Sequence, residues 1–76
     1  MTLQDWLSKR ILYYCEKKKI SVNKLALNSL LTQSTVDSII QGKSRNPQLK
    51  TLIKIATGLG ISVSELLKDI PSNIAD

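Results

Sequence analysis

The 76-residue chain has no histidine and only one cysteine, Cys15. Without histidine it lacks the commonest general base and metal ligand. A single cysteine cannot form an internal disulfide, and alone it cannot build a zinc site. A chain this short buries only about 60% of its unfolded surface, so its apolar core is thin. The unpaired thiol suits a reducing compartment, the cytoplasm being the simplest. No apolar run approaches the roughly 20 residues that span a bilayer. The opening segment MTLQDWLSKR carries Asp5 and no apolar h-region, so it does not read as a secretion signal. There is no glycine-rich phosphate loop, and the carboxylates are scattered. An enzyme needs a positioned acid, base or nucleophile, so none is expected here, nor is a cofactor, a metal or a small-molecule effector.

Acidic residues are scarce where basic ones are dense. The whole chain holds 11 Lys and Arg against 6 Asp and Glu, a net charge of +5. Between Lys9 and Lys54, ten basic residues face only Glu16 and Asp37. Such an excess suits a polyanion, although a solvated surface has the same composition. A membrane surface is the weaker partner. The first helix is basic and amphipathic, but the core needs its apolar stripe.

Leu, Ile and Val recur at three and four residues rather than two, which predicts helices throughout. The first follows Thr2, with Asp5 placed for a capping box. Leu3, Leu7, Ile11 and Tyr14 form its stripe, with Trp6 and Cys15 beside it. Lys17, Lys18 and Lys19 close it, where cations meet the negative end of the helix dipole. Ser21 can cap a second helix, Val22 to Asn28, and Thr32 a third, Gln33 to Gln41. Gly42 stops the third helix, and residues 43–47 read as a loop. Leu49, Leu52, Ile53 and Ala56 mark the inward stripe of a fourth helix, which ends at Gly60. Ser62 and Glu65 form a second capping box, with Ile61 and Leu66 placed as a hydrophobic staple. That fifth helix runs to Asp69 before Pro71 breaks the pattern.

The second and third helices are too short to stand alone, and a short seam joins them. That pairing makes a helix-turn-helix if the first helix braces the second. Leu25 and Ala26 point inward from one, Val36 and Ile39 from the other. At about 100° per residue, Gln33, Ser34, Asp37, Ser38 and Gln41 share the opposite face. Short hydroxyl and amide side chains suit base edges in a major groove, although a wet helix face can look the same.

The ordered set Leu25-Ala26, Leu31-Thr32, Ser34-Thr35-Val36, Ile39 to Gly42, Asn46-Pro47, Leu49, Leu52, Ile55-Ala56, Leu59 to Ser62 and Glu65 to Leu67 resembles the helix-turn-helix domain of phage Cro and repressor proteins. The resemblance runs from Ile20 to Leu67. It implies an all-α, compact five-helix bundle of the lambda-repressor type, a transcriptional repressor of phage or bacterial origin that binds double-stranded DNA with its third helix in the major groove. Residues 1–70 would form the domain, with the helix-turn-helix over 22–41 and a tail over 71–76. The family has glycine in the turn where Leu30 stands, so Leu30 is strained or the turn differs. The family also has glutamate where Ile40 stands, often paired with an arginine of the first helix, so Arg10 is expected to lack that partner.

On this reading Gln33, Ser34 and Ser38 read bases, and Thr32 caps the helix at the DNA. Lys43, Arg45, and Val22 and Asn23 through the second helix's first turn contact phosphates; Val22 stands where the family has glutamine, leaving Asn23 or the helix-end amides for that contact. Pairing on a pseudo-palindromic operator implies a weak homodimer, with Leu67, Ile70 and Ile74 as the interface and Leu66 in the core; these residues can equally serve only to cover the core. With no room for an effector domain, promoter occlusion is the expected mode. A protein-interaction module, antitoxin or anti-repressor in kind, is the alternative. It would use Leu30 and Ile40 as exposed apolar contacts.

Overall fold

The computed structural model of the chain describes residues 2–43 and 47–72. Those residues form five helices: α1 Leu3–Lys18, α2 Val22–Asn28, α3 Gln33–Ile40, α4 Leu49–Leu59 and α5 Val63–Leu66. Among them no helix is long and apolar enough to cross a membrane. The Cα atoms span 32 × 22 × 21 Å.

Local chemistry sets each helix start. Thr2 and Asp5 form the full capping box of α1: the Thr2 hydroxyl accepts from the Asp5 N–H at 3.2 Å, and the Asp5 carboxylate accepts from the Thr2 N–H at 3.5 Å. Ser21, Thr32 and Ser62 accept from the N–H groups of Lys24, Thr35 and Glu65. At Ser62 the structure forms this hydroxyl half of the capping box. Only α4 begins without a side-chain cap, at Gln48.

The ends of α1 to α4 share one device. Lys19, Leu30, Gly42 and Gly60 all have positive φ. Around each, the following residue's N–H donates five residues back, as in Ile20 to Cys15, Leu31 to Ala26, Lys43 to Ser38 and Ile61 to Ala56. The left-handed residue itself donates three back. This is the Schellman stop, which satisfies the last carbonyls and turns the chain sharply. Ile20, Leu31 and Ile61, the residues just past three of the turns, fold back onto the core. At the fourth turn that position is Lys43, which is exposed. The helix-turn-helix seam therefore keeps the family's turn, with a strained leucine at φ 57°.

The core is built from Leu7, Ile11, Tyr14 and Cys15 of α1, Leu25 and Ala26 of α2, Val36 and Ile39 of α3, Leu52, Ile55, Ala56 and Leu59 of α4, and Leu66 of α5. Burial pushes the Cys15 thiol pKa up, so it stays a protonated core side chain. Helix α2 packs on α3 and α4, while α1 lies against α3 and α4. The inward stripe of α4 differs from the expected one. Leu52 and Ala56 are buried, but Leu49 and Ile53 are 61% and 45% exposed. Ile55 and Leu59 take their place, so the buried i, i+3, i+4, i+7 stripe begins at Leu52, three residues later and about 60° round the helix. Helix α5 is also shorter than expected, ending at Leu66. Asp69 has φ 65°, which no right-handed helix admits.

Arg10 finds partners other than a glutamate. Its guanidinium donates to the backbone oxygens of Leu66 and Glu65, at 3.1 and 3.0 Å. It also lies 5.7 Å from the Trp6 ring centre and 5.2 Å from that of Tyr14. It thus satisfies the end of α5 and ties it to α1. Lys17 and Lys18 occupy the last turn of α1, with the Lys17 ammonium 5.9 Å from the Tyr13 ring centre.

Two stability outcomes follow. A left-handed non-glycine residue costs about 1–2 kcal/mol, while glycine's extra unfolded entropy costs roughly 0.5–1 kcal/mol. The first term is larger, so Leu30→Gly should stabilise the fold by about 0.5–1 kcal/mol in urea unfolding; a loss of stability would show that the Leu30 side chain supports the turn. Gly58 sits inside α4, where helix propensity alone favours alanine by about 1 kcal/mol. A Cβ there would collide with the Ser29 hydroxyl and lie 3.1 Å from the Ser29 nitrogen and 3.2 Å from Leu25 Cδ1. Overpacking of this kind costs about 1–3 kcal/mol, so Gly58→Ala should destabilise. A stabilised variant would mean that α2 and α4 separate easily at this contact.

Candidate nucleic-acid interface

The orientation of α3 follows from two buried side chains. Val36 is fully buried and Ile39 nearly so. With the helix rolled to bury them, Ser34 is exposed and Asp37 and Ser38 are half-exposed on the opposite side, and Gln33 is exposed at the flank of that face. Gln33, Ser34, Asp37, Ser38, Gln41 and Lys43 line one shallow depression. The structure thus brings together the three residues expected to read bases and one expected to meet phosphate.

Both ends of α3 are held. Thr32 accepts from the Thr35 N–H at 3.1 Å, and the two hydroxyls lie 2.8 Å apart. At the other end, Ser8 of α1 donates to the Ile40 carbonyl oxygen. Ile40 is half-buried against the core rather than an exposed apolar contact. It closes α3, while Gln41, expected as the last helical residue, forms the cap. Ser8 therefore links α1 to the end of α3, the region where the family's glutamate would stand.

Val22 is half-buried with its side chain on the core, and Asn23 is exposed. Ser21 takes the Lys24 N–H at 3.0 Å. The N–H groups of Val22 and Asn23 have no partner among the described residues. Any phosphate contact by Val22 would be through its backbone, since its side chain is committed to packing. Arg45 and Ile74 lie outside the described residues. Leu66 is fully buried, Leu67 is half-buried against the core, and Ile70 is 41% exposed.

Two features were not anticipated from the sequence. The Gln33 amide Nε2 donates to Asp37 Oδ1 at 2.9 Å. Their i, i+4 spacing, which places two side chains on one helix face, was the available signal. A second cleft, lined by Ser34, Thr35, Ser38, Pro47, Gln48 and Thr51, separates α3 from the start of α4. Its far wall depends on where the loop places Gln48 and Thr51, which no periodicity reports.

Comparison with known proteins agrees with this geometry. The family model of the Cro/C1-type HTH DNA-binding domain matches residues 10–72. No curated protein sequence matches. Among solved structures, the chain is similar to prophage Lp1 protein 11, with a TM-score of 0.82, 28% identity and 99% of each chain covered. It is similar to the restriction-modification controller protein C.AhdI from Aeromonas hydrophila, with a TM-score of 0.76 and 32% identity over 83% of this chain and 94% of that one. It is also similar to SinR, the master regulator for biofilm formation, solved in complex with DNA. There the TM-score is 0.74 and the identity 31%, over 82% of this chain and 98% of that one.

Proposed function

The chain belongs to the family of Cro/C1-type helix-turn-helix DNA-binding domains, and from that premise we propose that it is a sequence-specific repressor acting in the cytoplasm by occluding a promoter. Helix α3 enters the major groove of double-stranded DNA. Gln33, Ser34 and Ser38 read base edges, and Thr32 keeps the first turn rigid. Lys43 and the N–H groups of Val22 and Asn23 meet phosphates on either side. The observation that carries this reading is the outward face of α3, where short hydrogen-bonding groups line one depression with Lys43 at its rim. A relative at 31% identity has been solved with DNA.

Each module reads one half-site, and a weak dimer spans two half-sites about 34 Å apart on a pseudo-palindrome. Ile70 supplies exposed apolar surface for that contact, while Leu67 contributes only the part not already packed on the core. One observation favours a protein-interaction module instead. Leu27 is 63% and Leu30 86% exposed, three residues apart at the helix-turn-helix seam.

Selecting sites from random duplexes and measuring binding across a salt series separates the two readings. DNA binding weakens steeply with salt. On the selected site, Gln33→Ala should cost about 1–3 kcal/mol and relax the preference at one base pair per half-site. Folding should be unchanged, because Gln33 is exposed. A variant with wild-type affinity and preference would remove Gln33 from base reading.

A further inference from the structure

Asp37 is an unexpected residue on a face that approaches phosphates. It is half-exposed, and its carboxylate repels the DNA backbone. Its single side-chain hydrogen bond among the described residues is the one from Gln33 Nε2 at 2.9 Å. We propose that Asp37 is a positioning residue that orients the Gln33 amide and so fixes which base Gln33 selects. This proposal rests on the base-reading role of Gln33.

A glutamine amide has two ends of opposite polarity on one rotatable bond. Its nitrogen carries two donors and its oxygen only accepts. Unrestrained, the amide can turn over and present either end to a base. It can then accept from a cytosine or adenine amino group, or donate to the acceptors of guanine. The ionised Asp37 carboxylate only accepts. It holds the nitrogen end of Gln33 and repels the oxygen end, so the amide has one favoured orientation. One N–H is used by Asp37. The other N–H and the oxygen remain to pair with N7 and the N6 amino group of adenine. The i, i+4 spacing makes the brace local to α3, so it exists before DNA arrives. Its cost is a negative charge near phosphates, which lowers affinity for every sequence alike. Asp37 thus exchanges general affinity for selectivity.

The two effects can be measured separately by binding the full chain to the selected duplex, to the same duplex with adenine replaced by guanine at the Gln33 position, and to an unrelated duplex. Asp37→Ala should bind the unrelated duplex more tightly and lose about tenfold in adenine-over-guanine preference. Asp37→Glu keeps the acceptor and the charge and should retain most of the preference. Adding Asp37→Ala to Gln33→Ala should remove no further preference. In the free protein, the Gln33 side-chain amide resonances should move in Asp37→Ala and stay near wild type in Asp37→Glu. If Gln33→Ala relaxes the preference but Asp37→Ala leaves it at the wild-type value, the positioning role is wrong and base reading stands. If Gln33→Ala also leaves the preference unchanged, both assignments fail.

Discussion

Burial of Val36 and Ile39 is the constraint on which the interface depends. Helix α3 has only eight residues, too few to be stable in isolation. It exists because its two inward side chains complete a core that α1, α2 and α4 already share. The same burial fixes its roll about its own axis. Once Val36 and Ile39 point inward, the outward-facing set is no longer free to vary. Ser34, Asp37, Ser38 and Gln41 must lie on the other side, because about 100° separates successive residues, and Gln33 is exposed at their flank as the first residue of the helix. Packing of apolar side chains therefore decides which polar ones can meet DNA.

Roll alone does not fix position, and the rest of the fold supplies what is missing. Ser8 takes the Ile40 carbonyl and holds the end of α3 to α1. The turn at Leu30 sets the angle between α2 and α3, and the close contact of Ser29 and Leu25 with Gly58 sets how near α2 can approach α4. That closeness leaves the Ser29 hydroxyl buried without a partner among the described residues, which is the local cost of the contact. Arg10 closes the far side by satisfying the end of α5. The family's glutamate–arginine tie between helices is thus replaced by two separate ties to backbone oxygens. One is made by a serine hydroxyl and the other by the arginine itself.

Much of this was legible in the sequence, and the reasons differ by element. Helix starts were clear because Thr2, Ser21, Thr32 and Ser62 are strong caps with few other uses. Two stops were clear because Gly42 and Gly60 tolerate positive φ. The ends of α1 and α2 were also legible, α1 from its closing lysine run, but Lys19 and Leu30 pay for the left-handed conformation, so those two turns are pointed to only by tertiary structure or, at Leu30, by the family resemblance. The stripe of α4 was misjudged because Leu49, Ile53 and Ile55 are all apolar. Periodicity cannot choose between two overlapping stripes; contact with α2 does. The outward face of α3 was legible, since Val36 and Ile39 left no other roll. The Gln33–Asp37 pair was not anticipated: in the sequence Asp37 is one member of a polar face and one of two acids in a basic stretch, whereas its position one turn beyond Gln33 makes it an acceptor for the Gln33 amide.

The central claim is that packing turns one face of α3, flanked by the α2 start and Lys43, toward double-stranded DNA. Titrating the isotopically labelled chain with its selected duplex and following each backbone amide by NMR tests it most directly. The account predicts that the largest shifts fall on Gln33, Ser34, Asp37 and Ser38, with Val22, Asn23 and Lys43 next, while the Trp6, Lys9 and Tyr13 face of α1 stays unperturbed. Shifts concentrated on α1, or around Leu27 and Leu30, with the amides of α3 unmoved, would contradict it.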